Sequence, residues 1–254
     1  MLQATELRTA DSARARTSYE QQHARKVLSR LAPFHTLRGI RILDIGSAQG
    51  LFVAACKELG YDAIGVEPLA GARDVAASLT AERGDDVVIL NGTAESLPVH
   101  SASFDVVHAK SVIEHVDDPR KAFSEAYRVL RSGGIFWFNT ASSMCPIQSE
   151  IRGFPGFGWY PDPLKRAIMT WAIRNRPQSI GHTSRPAYHW FTPWKARRML
   201  KEAGFRIVLD RWDLRRTTEG SKFARYVLPV IRATAVTKLL ADVAVPGCSY
   251  AAIK

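Results

Sequence analysis

The sequence predicts a doubly wound α/β fold with seven, mostly parallel strands and helical insertions that act as a lid. Three observations predict it. Short apolar segments alternate five times with helical patterns over residues 41–140. A glycine-rich turn follows the first apolar segment directly. No stretch approaches the roughly 18 unbroken apolar residues of a membrane-spanning helix. Such alternation implies parallel strands joined by crossover helices on both faces of the sheet.

The first helix is predicted at 12–32, where apolar residues recur at helical spacing until Pro33 ends the pattern. The predicted strands are 41–45, 62–66, 87–90, 104–108, 135–140, 205–209 and 249–253. The other predicted helices are 51–59, about 70–82, 118–130, about 164–174 and 193–203. We therefore expect an N-terminal helical lid at 1–40, and one domain over 41–254 with substrate-side insertions at about 141–192 and 213–247.

Charge is distributed unevenly along this chain of 254 residues, whose formal net charge is +11. Residues 41–140 carry nine basic and fourteen acidic side chains, whereas residues 141–254 carry nineteen and seven. The two parts should therefore face different partners. Three widely spaced cysteines without a CxxC pair argue against disulfides and zinc. The charged N-terminus lacks the apolar core of a signal peptide, so a cytoplasmic location is expected.

The carboxyl ends of the first two strands predict a nucleoside site, because ligands of open α/β sheets bind there. Gly46 and Gly50 allow the backbone to approach a ligand closely. Glu67, at the end of the second strand, can accept hydrogen bonds from ribose hydroxyls. The spacing is GxxxG rather than the GxGxxG that holds a pyrophosphate. A ligand with a ribose but no diphosphate is therefore favoured over a dinucleotide.

Several segments, in their order along the chain, resemble the motifs of class I S-adenosylmethionine-dependent methyltransferases. Within that family they are most similar to the ubiquinone-biosynthesis and natural-product small-molecule enzymes. The chain departs from the usual pattern at Thr93, where aspartate is common, and at Ser132, where proline is commoner. The resembling segments are 43–50, 65–67, 93–98, 103–107, 112–116, 118–119 and 125–134, and 191–205 also fits.

This resemblance implies a Rossmann-like methyltransferase fold, S-adenosylmethionine as cofactor and a small-molecule acceptor. The implied cofactor-binding residues are Asp44 supporting the glycine loop, Gly46, Ser47 and Gly50 around the methionine moiety, Glu67 on the ribose, Ala94 and Glu95 beside the adenine, and the backbone of Lys110 near the sulfonium.

Two histidines are candidate catalytic bases, because an oxygen nucleophile must lose a proton near neutral pH. His115 follows the fourth strand, and His189 lies in a segment expected to return over the site. Either histidine could instead have a structural role, in which its ring hydrogen-bonds to the backbone of a loop. His108, within an apolar strand, is interpreted as structural. Some relatives bind a divalent metal through Glu-x-x-Glu-His, but Ser111 occupies the first position here. We therefore expect no metal requirement.

The sequence indicates less about the identity of the methyl acceptor than about the cofactor. Ala109-Lys110-Ser111 stands where enzymes that methylate base amino groups carry Asn/Asp-Pro-Pro-aromatic, which argues against nucleic-base chemistry. Basic amphipathic patterns near 164–176 and 222–232 fit a hydrophobic or amphiphilic acceptor, a contact with an anionic membrane, an anionic soluble substrate, or an ordinary lid. Transfer to oxygen is favoured over nitrogen. A catalytically silent cofactor-binding scaffold and an RNA 2′-O-methyltransferase are the alternatives.

Overall fold

A seven-stranded sheet with the order β3-β2-β1-β4-β5-β7-β6 forms the centre of the molecule. The structure is a computed structural model that describes residues 10–84, 86–148, 150–180, 186–215 and 222–254. β7 pairs antiparallel with β5 and β6, and the other pairs are parallel. The strands are β1 (Arg41–Ile45), β2 (Asp62–Val66), β3 (Ile89–Leu90), β4 (Phe104–Lys110), β5 (Leu130–Thr140), β6 (Ile207–Asp210) and β7 (Cys248–Ile253). The predicted α/β fold class is confirmed.

Helices cover both faces of this sheet. The α-helices are α1 (Ala10–Leu31), α2 (Leu51–Glu58), α3 (Ala70–Arg83), α4 (Pro119–Val129), α5 (Asp162–Asn175), α6 (Pro193–Glu202), α7 (Arg211–Leu214), α8 (Leu228–Ala233) and α9 (Ala235–Ala244). Single 3₁₀ turns lie at Phe157–Trp159 and Pro177–Ser179, and a π turn at Phe223–Val227 leads directly into α8.

The strand order reverses between β1 and β4, which are neighbours in space although β2 and β3 lie between them in the chain. Ile42 to Ile45 of β1 pair with Val106 to Ala109 of β4. The loops after these two strands therefore leave the sheet in opposite directions, which opens a cleft at their carboxyl ends. The two cavities that form the candidate site lie at this cleft.

Two hydrophobic cores pack against opposite faces of the sheet. One includes Phe123, Phe136 and Phe138 beneath α4 and α6, and the other joins α1 and α2 to β1. Residues of the 141–192 segment form a separate core around Phe157, Met169 and Trp190. Among the described residues, no helix is long and apolar enough to cross a membrane.

Several element boundaries differ from the predictions; β3, for example, begins at Ile89 rather than at residue 87, and β4 extends to Lys110. α4 ends at Val129 because Leu130 already pairs with Phe104, so β5 begins five residues earlier than expected. β6 begins at Ile207 because Phe205 still belongs to the turn that closes α6, its N–H donating to the Leu200 carbonyl. The sequence pattern also did not predict α9. These shifts follow from strand pairing and chain turning, which local periodicity does not encode.

Candidate active site

Two cavities meet at the carboxyl edge of the sheet. The larger is about 590 Å³ and the smaller about 220 Å³, and both are lined by Gly46 and Ser111. The larger cavity is walled by loops that follow β1, β2, β3 and β4. Its lining is Ile45, Gly46, Val66, Glu67, Pro68, Leu69, Gly92, Thr93, Ala94, Glu95, Ser111, Val112, His115, Val116, Asp117, Asp118 and Lys121. The two cavities therefore form one bipartite site.

The glycine loop after β1 turns tightly against β2. The N–H groups of Gly46 and Ser47 both donate to the Val66 carbonyl, at 2.8 and 3.1 Å. Gly46 has φ +69°, and a Cβ there would collide with the Val112 side chain. Glycine is thus required at position 46 for its backbone conformation and for the close approach of Val112.

Glu67 lies at the end of β2 and is buried. Its Oε2 accepts from the Ala48 N–H and its Oε1 from the Leu69 N–H, both at 3.0 Å. A carboxylate has about four lone-pair sites, so each oxygen can accept one more hydrogen bond. Glu67 therefore fixes the glycine loop and still presents acceptors to the larger cavity.

Ser47 contributes a polar atom to the smaller cavity. Its Oγ is buried and has no hydrogen-bond partner among the described residues. Gly65 on the neighbouring strand leaves room for this hydroxyl, since a Cβ at position 65 would collide with it. Buried hydroxyls are normally paired, so this atom is a candidate for contact with a ligand.

Ala94 and Glu95 form part of the wall that follows β3. Glu95 Oε1 accepts from the Asp117 N–H at 2.8 Å, which ties this loop to the loop after β4. The loop is also held from outside, where Glu125 Oε2 accepts from the Leu97 N–H at 2.9 Å. The predicted adenine-contacting segment is therefore braced on two sides.

His115 lines the larger cavity, as predicted for a base. Its Nε2 lies 4.0 Å from Oε1 of Glu114, a buried carboxyl that accepts from the Thr140 hydroxyl at 2.8 Å. Burial raises the Glu114 pKa to about 7, opposed by its hydrogen bonds to backbone and to Thr140. His115 on the cavity wall thus has a buried carboxyl beside it, and burial raises the pKa of that carboxyl.

His189 and Gly50 lie outside the lining of both cavities. Burial is the largest cause that lowers the pKa of His189, and hydrogen bonds to the backbone of Val116 and Asp117 oppose it. Gly50 has φ +74° and precedes α2, and a Cβ there would press on Val87. The structure therefore presents His189 as a support of the 115–117 loop and Gly50 as a helix-start residue.

Helix α1 covers the smaller cavity. Arg16 and Glu20 of this helix line it, together with Asp44, Ser47 and Lys110. Lys110 Nζ donates to Glu20 Oε1 at 2.8 Å and lies 4.5 Å from the centre of the Tyr19 ring. The Lys110 side chain, as distinct from its backbone, thus connects β4 to the N-terminal helix.

A chain of three titratable groups runs from the glycine loop to α1. His108 Nδ1 lies 2.6 Å from Asp44 Oδ1, and its Nε2 lies 3.1 Å from Nε2 of His23. The His108 ring is stacked between Phe52, with centroids 3.8 Å apart, and Trp137 at 4.9 Å. Burial raises the pKa of Asp44, and burial lowers the pKa values of His108 and His23 to about 3.

The described residues contain no group of three His, Cys, Asp or Glu side chains placed to hold a metal ion. Of the residues described in 141–192 and 213–247, none lines either of the two cavities. The first of these segments instead packs behind the site, where the Tyr188 N–H donates to the Glu114 carbonyl at 2.8 Å. The expected acceptor contacts from these segments therefore remain a prediction.

Sequence reasoning missed Arg16, Glu20, His23 and Glu114 as site residues. The first three recur at i, i+4 and i+7 along α1, so they share one face of the helix. That polar stripe was a usable signal beside the apolar one. His108 was interpreted as structural, and its contacts with Asp44 agree with a supporting role.

Comparison with known families bears on residues 43–138, which match the family model described as "Methyltransferase domain". Over 104 residues the chain is 39% identical to a ubiquinone biosynthesis O-methyltransferase of Azorhizobium caulinodans. That match covers 41% of this chain and 41% of the relative, so the chain spans about two fifths of the length of the curated relatives it matches.

Solved structures extend the fold comparison beyond this segment. An S-adenosylmethionine-dependent methyltransferase from Mesorhizobium loti superposes with a TM-score of 0.60 at 16% identity, covering 92% of this chain and 100% of the other. Phosphoethanolamine N-methyltransferase 2 of Haemonchus contortus, solved with S-adenosyl-L-methionine, gives 0.57 at 20% identity, covering 89% and 51%. The similarity extends over nearly the whole chain and is one of fold.

Proposed function

Because residues 43–138 match the methyltransferase domain model, we propose that this chain transfers the methyl group of S-adenosylmethionine to an oxygen atom of a small hydrophobic or amphiphilic molecule. One observation carries the proposal. The larger cavity has the Glu67 carboxylate on the wall beside the glycine loop and His115 on the wall after β4. A nucleoside acceptor and a candidate base therefore face the same space.

The residues fit the cofactor at three points. Both oxygens of Glu67 keep acceptor capacity for the two ribose hydroxyls. Ser47 Oγ, buried without a partner among the described residues, suits the polar end of the methionine moiety. Gly46 keeps the loop free of side chain where the two cavities meet. The cofactor, when bound, supplies an electrophilic methyl group on a sulfonium.

The chain's own contribution to transfer is alignment and removal of one proton. The rate of an in-line displacement depends mainly on holding the nucleophile, the methyl group and the leaving sulfur in one line. The two joined cavities would hold cofactor and acceptor in such an arrangement. His115 is proposed to accept the hydroxyl proton of the acceptor at its ring nitrogen. The neighbouring Glu114, 4.0 Å away and titrating near pH 7, would stabilise the imidazolium that forms.

Oxygen is the proposed target for two reasons. A histidine base on the cavity wall suits a hydroxyl, which must lose its proton, better than a neutral amine, which is already nucleophilic. The A. caulinodans relative is named as an O-methyltransferase. Apolar side chains that include Val112, Val116 and Leu69 line the larger cavity, which favours an acceptor with an apolar body.

The test follows the methyl group. The protein would be incubated with S-adenosylmethionine carrying a deuterated methyl group and a fractionated metabolite extract, and both S-adenosylhomocysteine and labelled products would be measured by mass spectrometry. The expected result is acceptor-dependent S-adenosylhomocysteine and a product labelled at oxygen. Cofactor binding without any labelled product would instead support the silent scaffold.

His115→Gln provides the second arm of this experiment. We expect a loss of roughly 10²–10⁴-fold in kcat with cofactor affinity unchanged, the usual range for removing a general base. His100→Gln is the matched control, because His100 is exposed and lines neither cavity. A kcat of His115→Gln equal to that of the control would remove His115 from the proposed chemistry.

A further inference from the structure

The helices between β6 and β7 present apolar side chains to solvent. In the π turn and α8 these are Phe223, Tyr226, Val227 and Val230, of which Tyr226 and Val230 are 65% and 60% exposed. Their spacing of i, i+3, i+4 and i+7 places them on one stripe of the helix. The segment 222–244 is called the basic helical pair below.

The second helix of the basic helical pair is unusual for a helix on a globular domain. No residue of α9 is buried, although most of its residues are apolar. Val236 and Leu240 are each 64% exposed, and Leu239 lies beside them on the same face. A surface helix normally turns its apolar stripe toward the core, so this stripe has no partner among the described residues.

The exposure does not come from a loosely attached segment. Ala224, Leu228 and Ile231 form the opposite, buried stripe, and the last two pack in one cluster with Trp212. Arg232 donates to the carbonyls of Trp212, Asp213 and Arg215. Lys238 Nζ donates to Asp213 at 2.6 Å. The π turn and α8 therefore carry two apolar faces. One of these packs against the protein, and the other is exposed to solvent.

Charge on the basic helical pair is of one sign where it reaches solvent. Lys222 and Arg225 are exposed. The single carboxylate in residues 222–247 is Asp242, which is half-buried and accepts from Trp212 Nε1 at 2.7 Å. Among the described residues of 222–244, the exposed charged side chains are thus both cationic, Lys222 and Arg225. Their electrostatic complement is an anionic surface.

We propose that the basic helical pair binds the surface of an anionic lipid membrane. Helices with an apolar stripe and flanking cations lie in the interface, with the stripe roughly 5–10 Å into the headgroup boundary. Lys222 and Arg225 would contact lipid phosphates while Tyr226, Val230 and Leu240 enter the apolar layer. The contact is peripheral, because α9 has only ten residues and cannot span a bilayer.

Vesicle cosedimentation of the full chain tests this proposal. Vesicles of phosphatidylcholine with phosphatidylglycerol would be compared with phosphatidylcholine alone, at 50 and about 500 mM NaCl. Binding to the mixed vesicles at low salt and its loss at high salt are expected. Absence of binding to the mixed vesicles at low salt would overturn the proposal.

Two double variants separate the apolar and electrostatic contributions. Lys222→Gln with Arg225→Gln should weaken vesicle binding about 25-fold, since each surface cation is worth roughly fivefold. Val236→Asn with Leu240→Asn should weaken it by at least about tenfold. All four side chains are exposed, so folding should be retained, which circular dichroism checks.

Val75→Asn is the matched control, because Val75 is exposed on α3, beside the opposite edge of the sheet. It should bind vesicles as the parent does. Equal binding by the parent and both double variants would refute the assignment. A second outcome would also refute it: the parent forms a concentration-dependent dimer in gel filtration and does not bind vesicles, whereas the Val236→Asn with Leu240→Asn variant is monomeric. A second copy of the chain would then cover this face.

Discussion

Replacing His108 with phenylalanine tests the contact chain between the glycine loop and α1. The phenylalanine ring can keep the stacking between Phe52 and Trp137, because those rings flank His108 nearly parallel, at interplanar angles of 9° and 2°. It cannot replace either ring nitrogen. Asp44, buried at the end of β1, would lose its 2.6 Å partner, and His23 its 3.1 Å partner.

The expected loss follows from those two contacts. Leaving a buried polar group unpaired costs about 1–3 kcal/mol, and a lost half-buried hydrogen bond about 0.5–1.5 kcal/mol. We therefore expect His108→Phe to lower the free energy of unfolding by about 2–4 kcal/mol. For a chain of this size, this corresponds to a melting temperature lower by roughly 4–16 °C.

Urea unfolding followed by circular dichroism measures the loss, and isothermal titration calorimetry measures cofactor affinity in the same variants. Asp44→Asn and the double variant complete a thermodynamic cycle, in which we expect a coupling energy of about 0.5–3 kcal/mol. His100→Phe is the matched control, because His100 is exposed. A His108→Phe variant within about 0.5 kcal/mol of the parent, with effects additive to those of Asp44→Asn, would refute the reasoning.

Four further predictions concern the site. Glu67→Gln should raise the cofactor Kd about 10–100-fold in calorimetry, because a hydrogen bond to a charged group is worth roughly 1.5–3 kcal/mol; an unchanged Kd would remove Glu67 from the ribose site. Gly46→Ala should weaken cofactor binding by more than about tenfold and lower the urea midpoint, because φ is +69° and the new methyl group would meet Val112; parent-like values in both assays would contradict this. Glu114, whose pKa burial raises from 4.5 to about 7, is protonated in both the folded and the unfolded state below pH 4.5, so stability is greatest there and is lost as the pH rises from 4.5 through 7. Glu114→Gln should therefore gain up to roughly 3 kcal/mol relative to the parent between pH 4.5 and 8 in urea unfolding, and a pH-independent difference would argue against the raised pKa. Treatment with EDTA should leave activity unchanged, and loss of activity that magnesium restores would show that a metal is needed.

The cofactor end of the site could be predicted because its determinants are local in sequence. Gly46 and Ser47 follow a buried strand directly, and Glu67 directly follows the next strand along the chain. In a parallel sheet, consecutive strands that pair bring their carboxyl ends together, so two short patterns predicted one site. The register of β1 against β2, with Ile45 opposite Val66, agrees with that reasoning.

The contacts made by α1 could not be predicted in the same way. His23 and His108 are 85 residues apart, and no repeat or motif links them. Tyr19 lies within the predicted helix 12–32, but its ring is mostly exposed and lies against Lys110. Which face of a helix turns toward the sheet depends on the surface against which the helix packs. The periodicity of the helix's own sequence carries no information about that surface. For the same reason, His189 could not be placed relative to the cavities.

The N-terminal helix is attached differently along its length. Its second half carries Ala24, Val27, Leu28 and Leu31, which are all buried, and removing them from the core would cost several kcal/mol. In its first half, Glu20 and Tyr19 contact Lys110 at the smaller cavity through a hydrogen bond and a cation–π contact. Fraying of the first half about an anchored second half would therefore admit the cofactor and release its product with the sheet undisturbed. Turnover would then depend on how often those roughly three turns of helix unwind.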